Sequence, residues 1–216
     1  MKKLLILIIG LIFLVGAVSV FMLNRDRKST DKEEYSMSDL IDKKIAIIIA
    51  FKNFRDEEYF IPRKILEEAG AKIEVVSNEV GTALGVEGLQ VNTNTKLSDL
   101  DISNFDAVVF VGGPGALDNL NNQDSYRVIR EAVKQNKVLA AICISPVILA
   151  EAGVLNGKKA TVWTNPLNKE PKKILEENGA IFTEQNVVVD GNIITANGPD
   201  AAAEFGKKLV EILVSK

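Results

Sequence analysis

Unbroken apolar runs alternate along the chain with amphipathic stretches and short polar turns. Apolar runs of about five residues are typical of strands that are covered on both faces of a sheet. Three such runs are Ile45–Ala50, Ala107–Val111 and Val138–Ile142. Apolar residues three and four positions apart, which predict helices with one buried face, follow or precede each of them. This alternation predicts an α/β fold with a mostly parallel sheet and helices on both faces.

The remaining elements follow from the same two periodicities and from the turn residues between them. The predicted helices are Asp56–Ala69, Asp124–Gln135, Pro146–Ala152 and a last helix after Asp200, and the further predicted strands are Lys72–Val76, Val187–Asp190 and Ile193–Thr195. The glycine-spaced stretch Gly81–Val91 predicts a small hairpin or an irregular excursion.

The amino-terminal segment has the pattern of a membrane span. Leu4–Leu23 is twenty residues long and almost entirely apolar, which matches the thickness of a bilayer core of about 30 Å. A cleaved secretory signal is the alternative, because Ala17-Val18-Ser19 has the small-x-small form of a cleavage site. The apolar run continues past that site, which favours an uncleaved signal anchor.

Three segments are therefore predicted: a transmembrane anchor at 1–23, a polar linker at 24–42 and one α/β domain at 43–216. Charged residues flank both ends of the apolar run, so the positive-inside rule does not decide its orientation. The short stub before the run favours a single-pass protein with its domain outside the cytoplasm.

The composition excludes several kinds of chemistry. The chain has no histidine and one cysteine, so it forms no Ser/His/Asp triad, no Cys/His dyad and no disulfide of its own. It also lacks the ligands of a thiolate-rich metal cluster, and we expect neither a metal nor a cofactor. Its 29 acidic residues outnumber its 26 basic ones, and several basic residues belong to the amino-terminal segment. The acidic body argues against nucleic acid as a partner.

Two segments follow predicted strands at the edge of the sheet where ligands bind in such folds. Gly112-Gly113-Pro114-Gly115 lacks the third glycine of a dinucleotide fingerprint and any P-loop lysine, which favours a tight turn or a pair of amides facing a site. Cys143 stands between an apolar strand and Ser145-Pro146, where a helix begins. Amides and the dipole at a helix amino terminus lower a thiol pKa, although a lone cysteine is more often a small buried hydrophobe.

Five stretches in this order resemble the ThiJ/PfpI superfamily, over roughly 44–216. They are IAIIIA, Asp56-Glu57-Glu58 with Pro62, FDAVVFVGGPGA, AAICISP, and TNP followed by TANGPD. The resemblance implies a flavodoxin-like three-layer sandwich, a dimer or larger assembly, and a nucleophile-elbow cysteine at Cys143. It also implies a glutamate partner at Glu58 and an oxyanion hole formed by the amides of Gly113 and Ile144.

A carboxyl group that is desolvated beside a thiolate has a raised pKa, so Glu58 would stay protonated and donate to sulfur. The alternative for Glu58 is a solvated carboxylate near a helix start. The chain departs from the family at Ile144 and Asn165, where some members carry histidine. Ser145 replaces a glycine, and we expect its hydroxyl to cap the following helix rather than to assist the sulfur.

These residues support three hypotheses. In the first, Cys143 reacts with small electrophiles, either peroxide or reactive dicarbonyls such as the methylglyoxal of glyoxalase III-like relatives. In the second, the domain is a non-catalytic binding or chaperone-like scaffold. In the third, it is a cysteine peptidase that receives histidine from a different protein, because identical subunits cannot supply one.

Overall fold

The computed structural model describes residues 39–216. The predicted membrane anchor at 1–23 and most of the predicted linker lie outside these residues, and the anchor stays a prediction. Within the range that is described, no helix combines the length and the hydrophobicity needed to cross a bilayer.

A seven-stranded sheet lies at the centre of the described domain. The strands of the protein are β1 (Lys44–Ile49), β2 (Lys52–Phe54), β3 (Lys72–Ser77), β4 (Gly81–Gly85), β5 (Gln90–Thr93), β6 (Thr95–Lys96), β7 (Ala107–Phe110), β8 (Val138–Ile142), β9 (Lys159–Ala160), β10 (Ile181–Phe182), β11 (Val187–Asp190) and β12 (Ile193–Ala196). The order in the main sheet is β11-β12-β8-β7-β1-β3-β6, with only β11 antiparallel to its neighbour. The predicted mostly parallel sheet is therefore confirmed.

Two small sheets accompany the main one. Strands β2, β4 and β5 form a three-stranded sheet, and β9 pairs with β10. The predicted hairpin is the antiparallel pair β4 and β5. The sequence pattern did not predict β2, β6, β9 or β10, because strands of two or three residues are too short to show a period.

Residues 39–216 contain six α-helices, most of which pack on or beside the main sheet. They are α1 (Asp56–Glu68), α2 (Ala116–Leu120), α3 (Gln123–Lys134), α4 (Pro146–Glu151), α5 (Glu170–Glu177) and α6 (Ala202–Val214). Helices α1 and α6 pack against each other, and α3 and α4 pack together beside β8, with α5 against α4. At Gly206 the first pair approaches so closely that a Cβ would lie 3.1 Å from the Cα of Pro62.

The central strands are buried as their apolar runs predict. Every residue of β7 and β8 is buried, and so is every residue of β1 after Lys44. Each fully buried branched aliphatic side chain contributes about 1.5–3 kcal/mol to burial free energy. Strands covered on both faces need helices on both sides, which is the predicted flavodoxin-like sandwich.

The parallel strands give the sheet two unlike edges, which we name the amino edge and the carboxyl edge. Strands β1, β7 and β8 begin at the amino edge and end at the carboxyl edge. The described chain enters at the amino edge, where the Leu40 amide donates to the Ala69 carbonyl at 2.8 Å. The cysteine elbow and the glycine-rich loop follow β8 and β7 at the carboxyl edge.

Candidate active site

Cys143 lies at a strained bend between β8 and α4. Its φ of 64° is in the left-handed region, which costs a residue with a Cβ free energy. Two backbone hydrogen bonds hold it there. The Cys143 amide donates to the Ala196 carbonyl at 2.8 Å, and the Trp163 amide donates to the Cys143 carbonyl at 2.8 Å. The residue as a whole is partly exposed.

The glycine-rich loop packs against the chain that leads into α1. The Arg55 amide donates to the Gly112 carbonyl at 3.0 Å, and the Gly115 amide donates to the Asn53 carbonyl at 3.0 Å. A Cβ on Gly113, whose φ is 110°, would lie 2.4 Å from the Arg55 nitrogen. The glycines therefore permit a close approach of two backbones, and this approach positions the start of α1 at the elbow.

Gly112 lies against both Cys143 and Glu58. A Cβ at Gly112 would lie 2.5 Å from the Cβ of Cys143 and 2.6 Å from Oε2 of Glu58. Both side chains therefore occupy the space that any larger residue at Gly112 would need. The structure brings together the predicted cysteine and the predicted acid.

Glu58 is completely buried, which a solvated carboxylate near a helix start would not be. Neither of its oxygens accepts a hydrogen bond of ordinary geometry from the described residues. Burial raises the pKa of the Glu58 carboxyl from 4.5 to about 7, although the nearby Cys143 side chain, the Arg55 charge and the Gly112 amide act in the opposite direction. Glu58 thus holds a proton over a pH range in which an exposed glutamate has lost it.

The Cys143 thiol differs from the sequence-based expectation. Burial, together with the adjacent Glu58 carboxylate, raises the pKa of the Cys143 thiol to about 12 rather than lowering it. The amides of Gly113 and Ile144 lower that pKa, as N–H donors facing the sulfur do. The expectation was wrong because it counted the helix amino terminus and the amides but not the desolvation of the sulfur.

The two groups titrate as one pair. Between pH values of about 7 and 12 the pair holds one proton and one negative charge. Arg55 and the Gly112 amide favour the charge on the carboxyl, whereas the Gly113 and Ile144 amides favour it on the sulfur. A thiolate near neutral pH therefore requires that the shared proton reside on Glu58.

Ser145 does not cap α4, contrary to expectation. Its backbone is already helical, with φ −66° and ψ −21°, and its side chain makes no capping hydrogen bond. The fully buried hydroxyl instead donates to the Val111 carbonyl at 2.8 Å. Ser145 thereby ties the elbow to the residue that precedes the glycine-rich loop.

Asn165 is occupied within its own loop. Its Oδ1 accepts from the amides of Leu167 and Asn168, both at 2.8 Å. Within the described residues, no hydrogen bond connects Asn165 to Cys143 or to Glu58. The structure brings Gly113 and Ile144 to the pair but leaves Asn165 as a loop-stabilising residue.

Asp56 supports the site and was not singled out from the sequence. Its carboxylate is buried and accepts from the amides of Glu87 at 2.9 Å and Leu89 at 2.8 Å. It therefore fastens the turn between β4 and β5 to the first residue of α1, two positions before Glu58. An aspartate directly before two glutamates at a helix start was the available signal, but its partners are about thirty residues away.

Known proteins resemble this chain over the whole described domain. The uncharacterized protein MJ0967 of Methanocaldococcus jannaschii is 37% identical over 99% of this chain and 98% of its own length. Deglycase TK1284 of Thermococcus kodakarensis is 29% identical over 77% of this chain and 98% of its own length. The crystal structure of a ThiJ/PfpI domain protein from Brachyspira murdochii superposes with a TM-score of 0.76 at 35% identity, covering 80% of this chain and 97% of that one.

The family model described as DJ-1/PfpI matches residues 43–212, which include the elbow, the glycine-rich loop and α1. That span is most of the chain, and it agrees with the resemblance carried by the five sequence stretches. The chain belongs to the DJ-1/PfpI family.

Proposed function

We propose that Cys143 reacts with small electrophiles and that Glu58 is its proton partner. The observation that carries this proposal is the Glu58 carboxyl, fully buried beside the cysteine with no ordinary hydrogen bond to either oxygen. Burying a carboxyl whose donors among the described residues, Cys143 and the Gly112 amide, do not reach ordinary hydrogen-bond geometry costs stability, by about 1–3 kcal/mol or more. Such a cost is typical of functional sites.

Peroxide is the first candidate substrate, because its reduction needs few proton transfers. The Cys143 sulfur attacks one peroxide oxygen, the O–O bond breaks, and the leaving hydroxide takes the proton from Glu58 to become water. The sulfur is oxidised to sulfenic acid and the peroxide is reduced. A second equivalent would carry the sulfur to sulfinic acid.

Reactive dicarbonyls are the second candidate substrates, and the name of the relative TK1284, a deglycase, favours including them. The thiolate adds to the aldehyde carbon, and the amides of Gly113 and Ile144 stabilise the alkoxide that forms. Glu58 protonates this alkoxide and, as a carboxylate, then removes the adjacent C–H proton and returns it to the neighbouring carbonyl carbon, which converts the adduct into a thioester of Cys143. Water hydrolyses the thioester to the hydroxy acid and the free thiol, so the net reaction adds one water molecule.

Peptidase chemistry is not supported by the residues of this chain. A leaving amine must be protonated, and the chain contains no histidine to do this beside Cys143. Asn165, at the place where some relatives carry histidine, hydrogen-bonds within its own loop.

The test uses the full chain and the fact that Cys143 is its only cysteine. Purified protein is treated with hydrogen peroxide or with methylglyoxal, and intact mass and lactate formation are measured beside Cys143→Ser. We expect a gain of one or two oxygens, or lactate, only when Cys143 is present. An unmodified Cys143 at neutral pH together with no lactate would favour the non-catalytic scaffold.

The role of Glu58 is tested by the pH profile of Cys143 alkylation with iodoacetamide. If the proton that remains on the pair above pH 7 resides on Glu58, as this proposal requires, the rate in the native chain should rise with a midpoint near pH 7, where the pair loses its first proton. In Glu58→Gln the midpoint should move above 9.0, the ordinary thiol value, because the sulfur stays buried without a proton acceptor. A native midpoint near 12 would show that the shared proton stays on the sulfur.

We further propose, on the sequence alone, that Leu4–Leu23 anchors the domain in a membrane with the domain outside the cytoplasm. Alkaline carbonate extraction of membranes tests the anchor, and protease accessibility of intact cells tests the orientation. Members of this family are commonly dimeric, and we propose the same for this chain. Light scattering of the purified protein measures that state.

A further inference from the structure

A small polar cavity lies beside the elbow and is not part of the Cys143–Glu58 pair. Its volume is about 200 Å³. The side chains around it are mostly hydroxyl, amide or charged groups: Thr161, Val162, Thr164, Lys169, Lys172, Phe182, Glu184 and Asn197. At about 30 Å³ per water molecule, it has room for a small organic acid of a few heavy atoms.

Two walls of this cavity are the chain segments that hold Cys143. Val162 and Thr164 flank Trp163, whose amide donates to the Cys143 carbonyl. On the other side Asn197 directly follows Ala196, whose carbonyl accepts the Cys143 amide. The cavity and the elbow therefore share two backbone segments, 162–164 and 196–197.

The charges around the cavity suit an anion. Three of its residues are ionisable, and two lysines outnumber the single acid, Glu184. Lys172 lies over the Phe182 ring at 4.8 Å, and its nearest carboxylate is the half-exposed Glu176 at 3.7 Å. An ion pair of that length and exposure is weak, which leaves the ammonium able to bind a carboxylate from solution.

We propose that this cavity binds the carboxylate of an electrophile whose reactive carbon is presented to Cys143. The substrate class is then a small acid that carries an electrophilic group, rather than a neutral aldehyde or peroxide alone. Lys169 and Lys172 bind the carboxylate, and the hydroxyl of Thr164 supplies a hydrogen bond. This inference rests on the proposed reactivity of Cys143, but its binding step can be measured without that reactivity.

The first experiment compares two alkylating reagents that differ in charge. Iodoacetate and iodoacetamide share a leaving group and nearly share a size, and Cys143 is the only thiol they can label. We expect the iodoacetate-to-iodoacetamide rate ratio at Cys143 to exceed that of free N-acetylcysteine by about fivefold or more. The ratio should return to the free-thiol value in the double variant Lys169→Gln/Lys172→Gln.

Lys173→Gln is the matched control. Lys173 is on the same helix, α5, but it is outside the cavity and faces Glu170 and Glu177 at 3.8 and 3.7 Å. We expect it to leave the rate ratio unchanged. A native ratio equal to that of the free thiol, or a ratio that the double variant does not change, would overturn the inference.

The second experiment measures binding in Cys143→Ser, where no reaction can occur. Trp163 is the only tryptophan of the chain and lies between two residues of the cavity wall, so its fluorescence reports on the cavity. Glycolate should change the emission saturably, glycolamide should not, and the double lysine variant should bind glycolate at least fivefold more weakly. If neither alkylating reagent labels the native thiol while glycolate still binds, the proposed function fails and the cavity assignment stands. If glycolate gives no saturable signal, the cavity assignment fails whatever the reactivity of Cys143.

Discussion

Acidic side chains have opposite surroundings at the two edges of the main sheet. At the amino edge, Lys44 pairs with Glu74 at 2.8 Å and Lys158 pairs with Asp190 at 3.1 Å, with all four side chains partly exposed. At the carboxyl edge, the Glu58 carboxyl is buried beside Cys143, and neither of its oxygens has a hydrogen bond of ordinary geometry from residues 39–216. The pKa of Glu74 is lowered by its partners Lys44 and Thr95, whereas burial raises the pKa of Glu58.

This difference distinguishes acidic side chains that stabilise the folded protein from an acidic side chain that destabilises it. A carboxylate that meets a lysine and water adds a little stability and can be replaced at small cost. A carboxyl that is enclosed with a thiol reduces stability near neutral pH and gains a proton that it can transfer. The following substitutions test the contrast, from the largest expected effect to the smallest.

Gly112→Ala should destabilise the protein by about 4 kcal/mol, because overpacking against atoms that cannot move is among the most costly substitutions. The new Cβ would meet the Cβ of Cys143 at 2.5 Å and the Ile142 carbonyl oxygen at 2.8 Å. Guanidinium chloride unfolding measures the change.

Gly191→Ala, in the turn at the amino edge, is the control for Gly112→Ala. Nothing lies within 4 Å of its new Cβ, and only the left-handed φ of 62° opposes it. Its cost should be about 1 kcal/mol. Equal costs at the two glycines would contradict the close approach described at Gly112.

Glu58→Gln should stabilise the protein at pH 8 and have little effect at pH 4.5. The folded pKa of about 7 lies above the ordinary 4.5, so the folded state binds the proton more tightly and loses stability as the pH rises through that interval. At 1.36 kcal/mol per pKa unit, this interval corresponds to a loss of about 3 kcal/mol in the free energy of unfolding. The Glu58→Gln variant does not have this loss, because glutamine does not ionise.

Urea unfolding of both proteins at several pH values between 4.5 and 8 measures the difference. Cys143→Ser in both backgrounds is the control, because it removes the coupling to the thiol. A difference that does not depend on pH would mean that Glu58 is not titrating in this range.

Ser145→Ala should cost about 1.5 kcal/mol, because it leaves the buried Val111 carbonyl without its side-chain donor. Since Ser145 connects the elbow to the glycine-rich loop, the iodoacetamide reactivity of Cys143 should fall as well. Ser145→Thr, which keeps the hydroxyl, is the comparison. Loss of stability without a change in reactivity would make the hydrogen bond a purely structural one.

Glu74→Gln should have the smallest effect and the opposite sign to Glu58→Gln. The pKa of Glu74 is lowered in the folded protein, so its contribution is present above the ordinary carboxyl pKa and is lost as the pH falls. Because the pair with Lys44 is partly exposed, the loss at pH 7 should be below about 1 kcal/mol. Cys143 alkylation should be unchanged, and a change in its rate would mean that the two edges are coupled.

The parts of the site that sequence predicts are those that local pattern determines. The apolar run of β8 ends where a cysteine, a serine and a proline follow, and this order alone places an exposed bend before a helix. The acidic start of α1 is equally local, but the pairing of Glu58 with Cys143 was implied only by the family resemblance. The bounds of the predicted strands and helices agree with the structure to within about two residues. Helices α2 and α5 were not predicted, and neither were the strands of two or three residues, which are too short to show a period.

The parts that sequence misses depend on contacts between distant segments. The thiol pKa was expected in the wrong direction because desolvation arises from the glycine-rich loop, α1 and the elbow packing together. The hydroxyl of Ser145 finds an acceptor 34 residues away rather than in its own helix. Neither partner could be identified from spacing along the chain.

The entry of the described chain at Leu40 has a consequence for where a group attached to its first residue would lie. Strand β1 runs six residues from that edge to the opposite one, a separation of about 20 Å. A label or surface linkage at residue 39 would therefore be held on the side of the sheet opposite the thiol.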